Sequence, residues 1–348
     1  MPVTQSQSVM PEGLIKALRR DAVSMFGLPA VPTIVLRKTI RNPYSQVHVA
    51  DITQNQFHRR VYVKIPHSEI HGMTLLKERL ISEYEIMQKL RDHDSNRKGY
   101  GVAIPFGFYP EYPAYATLEA ARDTLRMHYH ARARVLVPSF LRSSVMEEVS
   151  NCGKWLREFQ ENTLKGPAPF DVRELATYSD VRLQRLLRQN QIEFSSGLAE
   201  GVLQAIHDLG SRIDPGENRI SGRHNDFASH NILAEAGRVW VIDFSMFDYG
   251  SSAYDSCNFW FDLEMLKLDP TYSGQFLSDL QARFLVSYGL MTPESPAFNL
   301  ARCRYTLNRL VTSLDGSKGW QPGSLYRRNV VRVSLKWLQS LATGLQFR

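Results

Sequence analysis

Two short polar motifs separated by an apolar run constrain this chain more than any other feature. Residues 223–233 read RHNDFASHNIL, and residues 239–245 read VWVIDFS. The first motif has the spacing H-x-D-x-x-x-x-N, and the second places an aspartate directly after four apolar residues. A short apolar run between polar segments is typical of a buried strand. The pattern therefore predicts that acidic and amide side chains lie on loops at both ends of a strand.

The three side chains Asp226, Asn231 and Asp243 have the chemistry of a phosphoryl-transfer site. A carboxylate such as Asp226 can accept the proton of an attacking hydroxyl. Asn231 and Asp243 offer hard oxygen ligands of the type that Mg²⁺ takes together with nucleotide phosphates. Phosphoryl transfer needs little from a protein beyond positioning and charge neutralisation. The residues thus predict Asp226 as catalytic base and the other two as metal ligands.

Composition places the chain among ordinary globular proteins. It has 348 residues, 43% of them hydrophobic, which allows one large domain or two small ones. The net charge of +7 comes from dispersed basic residues that are not interleaved with aromatic ones, so no nucleic-acid binding is expected. No membrane span or secretory signal is expected from the apolar pattern. Three distant cysteines are typical of a reducing compartment, so a cytoplasmic protein is expected.

The apolar pattern predicts a β-rich N-terminal part. Residues 1 to about 10 are polar and are expected to be disordered. Apolar residues at helical spacing then predict a helix that opens near Glu12 and stops at Gly27 and Pro29. Runs rich in β-branched and aromatic residues predict strands at 33–36, 46–50, 60–65, 100–108 and 115–118, with a helix at 73–91.

Beyond residue 119 the pattern is mostly helical. Amphipathic helices are predicted at 145–162, 181–187 and 196–212, and later helical segments are broken by glycines at 316, 319 and 323. The expected division is a tail and helix (1–32), a β-rich part (33–121) and a helical part (122–348). The expected fold class is α+β with two lobes, and small-molecule sites tend to form at such junctions.

Lys64 ends the alternating run VYVK at 61–64, where its ammonium is suited to nucleotide phosphates. To stay aimed it needs a carboxylate partner, and the next helix offers Glu78, Glu83 and Glu85. Apolar residues follow Glu83 at the third, fourth and seventh positions, which places Glu83 on the inward face of the helix. Glu85 falls on a different face, so Glu83 is the predicted partner of Lys64.

These motifs together resemble the aminoglycoside phosphotransferase family, relatives of the protein kinases. Members commonly carry H-G-D-x-x-x-x-N-I-L followed by an apolar strand and I-D-F or I-D-W, and here 224–233 read HNDFASHNIL and 241–244 read VIDF. The similarity extends to segments 61–64, 82–87 and 117–125, and to Tyr254-Asp255, which fits the element that closes the metal loop. The resemblance covers roughly residues 33–262 and implies a two-lobed, protein-kinase-like α+β fold.

The resemblance also implies roles for the matching residues. The base and the metal ligands are those inferred above, and the lysine–glutamate pair would clamp the phosphates of ATP. Backbone groups of Glu119 and Ala121 would bind the adenine. His224 is expected to orient the catalytic loop by hydrogen bonding, together with Asp255.

The chain departs from the family pattern in several places. Asn225 stands where the family has glycine, and 228–230 read ASH in place of the usual H-P-G. Ser245 stands where protein kinases have the glycine of D-F-G. The loop at 41–45 has no glycine to bring backbone amides onto the phosphates. Family members often use serine there, so Ser45 is the candidate for phosphate contact. No A-P-E element follows Asp243, which argues against a regulated protein kinase.

Two residues are candidates for contact with the acceptor. His230 flanks the predicted metal asparagine and faces either substrate or solvent. Trp260 belongs to an aromatic cluster that serves either as core or as a stacking surface. Basic residues at 302–309 and 327–332 either recognise an anionic acceptor or form a solvated helix face.

The sequence therefore predicts an ATP- and Mg²⁺-dependent kinase acting on a hydroxyl of a small molecule, such as a sugar, amino alcohol, antibiotic or saccharide precursor. A polycationic aminoglycoside is disfavoured, because it needs an acidic pocket and the C-terminal part is rich in arginine. One alternative is a non-catalytic nucleotide-binding pseudokinase or scaffold, in which loss of a key acidic or amide residue is expected. The other is a protein or peptide kinase.

Overall fold

The computed structural model describes residues 10–42, 45–67, 73–94, 99–189, 191–214, 216, 218–315 and 324–344. The expected disorder before residue 10 and the helix-breaking glycines at 316, 319 and 323 therefore lie outside the described residues. The chain divides into two compact units. One holds the residues up to Asp123 together with Leu233–Glu235 and Val239–Phe247, and the other holds the remainder.

The first unit is built mainly from strands, with two helices in its N-terminal segment. Its helices are α1 (Glu12–Phe26) and α2 (Met73–Asp94). Its strands are β1 (Thr33–Arg41), β2 (Ser45–Gln54), β3 (Phe57–Pro66), β4 (Tyr100–Val102), β5 (Pro105–Tyr109) and β6 (Ala114–Leu118). Strand β7 (Asp123–Thr124) ends the segment, and β10 (Ile232–Glu235) and β11 (Arg238–Val241) join this unit from later in the chain.

The main sheet of the first unit has the strand order β1–β2–β3–β6–β5, with antiparallel neighbours. The side chains of β3 alternate between the two faces of the sheet, as expected. Val61 and Val63 are fully buried and join the core against Leu14 and Leu18 of α1. Helix α1 ends where predicted, because Gly27 adopts a left-handed φ of 60° as its C-terminal cap. The alternation of β3 turns Lys64 to the face opposite the valines.

A second sheet has the order β4–β11–β10–β7. Strand β11 runs parallel to β4, with Val239 opposite Tyr100 and Val241 opposite Val102. The backbone N–H of Ala103 donates to the carbonyl of Val241 at 3.2 Å and extends this pairing by one residue. The apolar run of the second motif is thus a strand, as predicted, and it carries Asp243 just past its end.

The second unit is mainly helical. Its helices are α3 (Leu125–Arg132), α4 (Ser143–Asn162), α5 (Val172–Gln189), α6 (Ser196–Ser211), α7 (Ala253–Leu266), α8 (Gly274–Tyr288), α9 (Pro296–Asp315) and α10 (Ser324–Ala342). Its short strands are β8 (Gly166–Pro167), β9 (Arg219–Arg223) and β12 (Asp248–Ser251). The large core cluster of this unit contains apolar residues from α5, α6, α7, α9 and α10.

Two features of the second unit differ from the sequence expectation. Helix α5 begins at Val172, nine residues before the predicted start, and the Asp171 side chain accepts from the backbone N–H of Glu174 at its first turn. Helix α3 was not predicted, although Thr124 caps it by accepting from the N–H of Met127. Polar residues that cap a helix lie outside the apolar periodicity, so periodicity alone misses the turn that they start.

Within the described part of the chain, no helix combines the length and apolar character that a membrane span requires.

Candidate functional site

In the first unit, the ammonium of Lys64 lies between two carboxylates. Its Nζ donates to Glu83 Oε1 at 3.1 Å and to Asp243 Oδ1 at 2.6 Å. Glu83 is 1% exposed, whereas Glu85 is exposed, which is the distribution that helix periodicity predicted. Tyr115, which pairs with Lys64 across β3 and β6, donates its hydroxyl to Glu83 at 2.7 Å. The fold thus brings a strand, a helix and the end of β11 to one charged cluster.

The carboxylates of this cluster explain why Lys64 stays protonated. Burial alone would lower the pKa of Lys64, but the adjacent Glu83 and Asp243 carboxylates raise it above its ordinary value. The ammonium therefore stays charged at neutral pH. One ammonium faces two carboxylates, and burial raises the pKa of Glu83 although Lys64 opposes that shift. The Asp243 side chain is 40% exposed, which leaves it accessible to a further cation.

Glu119 and Ala121, the predicted adenine-binding residues, directly follow β6. The backbone N–H of Glu119 donates to the carbonyl of Arg60 at 2.9 Å, and its carboxylate accepts from the hydroxyl of Tyr62 at 3.2 Å. Ala121 is buried. Ser45 is the first residue of β2 and is also buried, and its carbonyl accepts from the N–H of Asn42. The adenine and phosphate contacts of these residues stay predictions.

In the second unit, Asp226, His230 and Asn231 form one hydrogen-bonded loop. Asn231 donates its side-chain amide to Oδ2 of Asp226 at 2.8 Å and to the Asp226 carbonyl at 3.0 Å. Nε2 of His230 lies 3.2 Å from the same Oδ2. The hydrogen bond with Asp226 raises the pKa of His230 against the effect of burial. The Asp226 side chain remains 48% exposed, so the carboxylate is oriented by the loop and is open to a substrate.

Asp255, predicted to orient the loop, holds it through backbone contacts. Its two carboxylate oxygens accept from the N–H of His224 at 2.6 Å and of Asn225 at 2.9 Å. The ring of His224 is fully buried, and its Nδ1 lies 3.3 Å from the backbone nitrogen of Asp226, which donates to it. Both predicted loop-orienting residues therefore contact the backbone that carries Asp226.

Asn225 explains one departure from the family motif. Its φ is 62°, in the left-handed region that glycine enters freely and that asparagine tolerates best among other residues. Its side-chain amide donates to Asp248 Oδ1 at 2.7 Å, and Asp248 also accepts from Arg223 through both oxygens at 2.7 Å. The asparagine keeps the backbone conformation that the motif requires and adds an anchor to β12.

Sequence reasoning missed Asp262, which also holds the loop. Its Oδ2 accepts from the backbone N–H of Ser229 at 3.2 Å and from the Ser229 hydroxyl in a short contact. Asp255 and Asp262 lie seven residues apart on α7, which is nearly two full turns, so both project from the same face. An acidic pair at this spacing after the motif is the signal that would have found it.

The pKa of Asp255 predicts a specific pH dependence of stability. Burial raises it from 3.8 to about 7, although the two backbone donors oppose that shift. The folded state thus holds this proton more tightly than the unfolded state does. The contribution of the group to stability is fully present below about pH 4 and is lost as the pH rises through about 7.

Asp255→Asn cannot titrate, so it isolates this effect. The unfolding free energy of the wild type minus that of the variant should fall by up to about 1.4 kcal/mol for each unit that the pH rises between 4 and 7. Denaturant titrations at several pH values measure it. A difference that does not change with pH would mean that Asp255 stays ionised throughout this range.

Each unit offers an oxygen donor of the type that Mg²⁺ takes in nucleotide sites. Among the described residues, no group of three or more His, Cys, Asp or Glu side chains is placed to hold a metal by itself. Mg²⁺ in nucleotide sites uses only one or two protein ligands, and phosphates and water supply the rest. Asp243 offers an accessible carboxylate, and Asn231 commits its amide nitrogen to Asp226, which leaves the oxygen as the ligating atom of that side chain.

Trp260 lies in packed surroundings. It is half-buried, packs against two hydrophobic clusters of the helical unit, and meets the ring of Phe298 edge-on at 5.6 Å. These contacts favour a structural contribution, and its role in acceptor binding stays a prediction.

Trp260→Ala is expected to lower the free energy of unfolding by about 3 kcal/mol, because it removes a large packed ring. Trp260→Phe, which keeps an aromatic ring, should recover most of that loss. Chemical denaturation measures the stability of both variants. The KM for ATP should not change in either variant. Unchanged stability with a raised KM for the acceptor would instead make Trp260 a wall of the acceptor pocket.

The overall fold matches that of solved small-molecule kinases. A choline kinase from Cryptosporidium parvum matches with a TM-score of 0.53 and 12% identity, over 96% of this chain and 97% of that one. A choline/ethanolamine kinase family protein from Mesorhizobium loti matches with a TM-score of 0.51 and 13% identity, over 95% and 98%. A thermostable mutant of an aminoglycoside phosphotransferase matches with a TM-score of 0.51 and 13% identity, over 94% and 98%.

No protein family model and no curated protein sequence matches the chain. The structural matches show that it has the kinase-like α+β fold of aminoglycoside phosphotransferases and choline kinases, so the predicted fold class is confirmed. At these identities the likeness establishes the fold, and the chemistry has to be argued from the residues of this chain.

Proposed function

We propose that this protein is a small-molecule kinase that transfers the γ-phosphoryl group of ATP to a hydroxyl of its acceptor, with Mg²⁺ bound to the nucleotide. The Lys64–Glu83–Asp243 cluster carries the proposal. Its glutamate is almost fully buried and its lysine nearly so. Burying charges is costly unless their pairing or their function compensates, and buried ionisable clusters concentrate at functional sites. A kinase-like fold that retains this cluster together with the Asp226 loop has the parts that phosphoryl transfer requires.

The chain's own residues account for the reaction as follows. Asp226 accepts the proton of the acceptor hydroxyl while the hydroxyl oxygen bonds to the γ-phosphorus, and the bond to the β,γ-bridging oxygen breaks to release ADP. Asn231 and His230 hold Asp226 in position. Lys64 contacts the nucleotide phosphates, and Glu83 keeps it aimed. Bound Mg²⁺ would neutralise phosphate charge, with Asp243 and Asn231 as its protein ligands.

The charges near the loop in the helical unit do not favour a strongly cationic acceptor. Asp226 and Asp262 raise the pKa of His230, and Arg126 on α3 lowers it, so charges of both signs lie near the loop. A polycationic acceptor would gain little from such surroundings. We therefore propose a hydroxylated metabolite, such as a sugar or amino-alcohol derivative, that carries at most one positive charge.

A nucleotide-consumption screen tests the proposal. Wild type is incubated with ATP and a panel of hydroxylated metabolites, with and without Mg²⁺, and ADP release is measured. Mg²⁺-dependent release with at least one acceptor is expected, and Asp226→Asn serves as the inactive control. Tight ATP binding in calorimetry, combined with no turnover across a broad panel, would favour the non-catalytic nucleotide-binding alternative.

A further inference from the structure

A guanidinium lies near two tryptophan rings in the helical unit, and none of these three side chains contacts the Asp226 loop. The Arg302 Cζ on α9 lies 5.1 Å from the ring centroid of Trp260 on α7 and 4.9 Å from that of Trp337 on α10. Both distances fall within the range of cation–π contact. The arrangement joins three helices around one positive charge.

Some hydrogen-bond donors in this cluster have no acceptor among the described residues. Nε of Arg302 and Nε1 of Trp337 are both buried, and neither has a hydrogen-bond partner in the described part of the chain. Trp337 is 5% exposed as a residue. The hydroxyl of Ser334, one turn earlier on α10, is also buried without a partner. A buried donor without an acceptor is unfavourable. Several of them on neighbouring elements therefore offer donors to a group that bears acceptors.

The charge of Arg302 is also uncompensated in the part of the chain that the structure describes. Two other partly buried arginines of the helical unit pair with carboxylates, Arg304 with Glu174 at 3.0 Å and Arg223 with Asp248 at 2.7 Å. No described carboxylate lies within ion-pair distance of Arg302. Burial lowers the pKa of its guanidinium, with Glu264 opposing from a greater distance. An anion that reached this cluster would offset the cost of burying that charge.

The cluster is separate from the loop that carries Asp226. On α7, Asp255 and Asp262 project from the face that binds the loop. Trp260 lies five residues after Asp255, which at about 100° per residue turns it about 140° away from that face. Its partners are accordingly on α9 and α10. A ligand at Arg302 would therefore sit across α7 from the catalytic loop.

We propose that Arg302, Trp260 and Trp337 form a binding site for a small organic carboxylate with an apolar body. A carboxylate presents two oxygens that match the edge of a guanidinium, and one of them can also accept from Trp337 Nε1. The tryptophan rings provide apolar walls that favour an aromatic or aliphatic body over a hydrated inorganic ion. Arg302 and Trp260 are half-buried, so part of each side chain is exposed.

Calorimetric titration of the full-length protein with benzoate tests the site, in parallel with its neutral analogue benzamide and with inorganic phosphate. Saturable benzoate binding is expected, with benzamide and phosphate at least about tenfold weaker because each lacks either the charge or the apolar body. Arg302→Gln should lower the benzoate affinity by about tenfold or more. Arg328→Gln, an exposed arginine on α10, is the matched control and should bind like wild type.

A second variant separates ligand binding from packing. Trp337→Phe keeps an apolar ring and removes only the N–H donor, so it should weaken benzoate by about two- to tenfold without unfolding the protein. The benzoate affinity of Trp337→Phe still tests the proposal if Arg302→Gln fails to fold.

Three results would overturn the proposal. The first is that benzoate shows no saturable binding and a crystal structure shows only a water molecule between Nε of Arg302 and Nε1 of Trp337. The second is equal affinity for benzamide. The third is phosphate binding as tight as benzoate binding, which would contradict the apolar body.

Discussion

Asp226→Asn is expected to lower turnover by about 10²- to 10⁴-fold while ATP binding stays close to wild type. Asp226 is the half-exposed carboxylate of the loop, and both Asn231 and His230 contact its Oδ2. An asparagine keeps the shape of the side chain but cannot take up the proton of the acceptor hydroxyl. Steady-state turnover with the acceptor found in the screen measures the effect, and calorimetry measures ATP binding.

The control for this variant is Asp279→Asn, the same change at an exposed position of α8. It should leave turnover and stability unchanged. Turnover of Asp226→Asn within a few-fold of wild type would mean that the base is assigned to the wrong residue. A large fall in melting temperature would instead show that the variant disturbs the loop, and thermal denaturation distinguishes the two outcomes.

Asp243→Ala is expected to abolish turnover and to weaken Mg²⁺-dependent ATP binding. The variant removes the only charged protein ligand in the proposed metal site, and it also removes one of the two carboxylates beside Lys64. Lys64 keeps its contact with Glu83, so the first unit should remain folded. Titration of ATP with and without Mg²⁺ measures the effect: wild type should bind more tightly with the metal, and the variant should lose most of that difference.

The control is Asp279→Ala, a change at an exposed aspartate. It should keep the full effect of Mg²⁺ on ATP binding. If Asp243→Ala retained the metal dependence of wild type, Asp243 would not be a ligand, and the site proposed for Mg²⁺ would have to be abandoned. Loss of ATP binding both with and without the metal would point to the arrangement of Lys64 as the affected element.

Local patterns in the sequence predict several features of this protein correctly. The alternation at 61–64 predicted a strand with Lys64 turned away from the buried valines, and β3 has that form. Helical periodicity selected Glu83 over Glu85 as the partner of Lys64, and the structure places Glu83 at 3.1 Å. Both results depend on which face of an element is buried, and periodicity within a few residues encodes that face.

The partners of the loop residues could not be inferred in this way. Lys64 and Asp243 are 179 positions apart, and only the pairing of β11 with β4 in the first unit accounts for Asp243 lying in the same unit as Lys64. The left-handed φ of Asn225 depends on how the loop is anchored to Asp255 and Asp248. No pattern in the neighbouring residues specifies either contact.

The same limit applies to Asp262 and Arg302. Beyond the seven-residue spacing from Asp255, nothing in the local sequence distinguishes an acid that binds the backbone of the Asp226 loop from one that faces solvent. Nothing there distinguishes a stacked arginine from a solvated one either. Spacing in the chain determined the types of elements and the chemistry that their motifs carry. Packing between distant segments decided which charges meet, because hydrogen bonds and ion pairs act over a few ångströms whatever the separation along the chain.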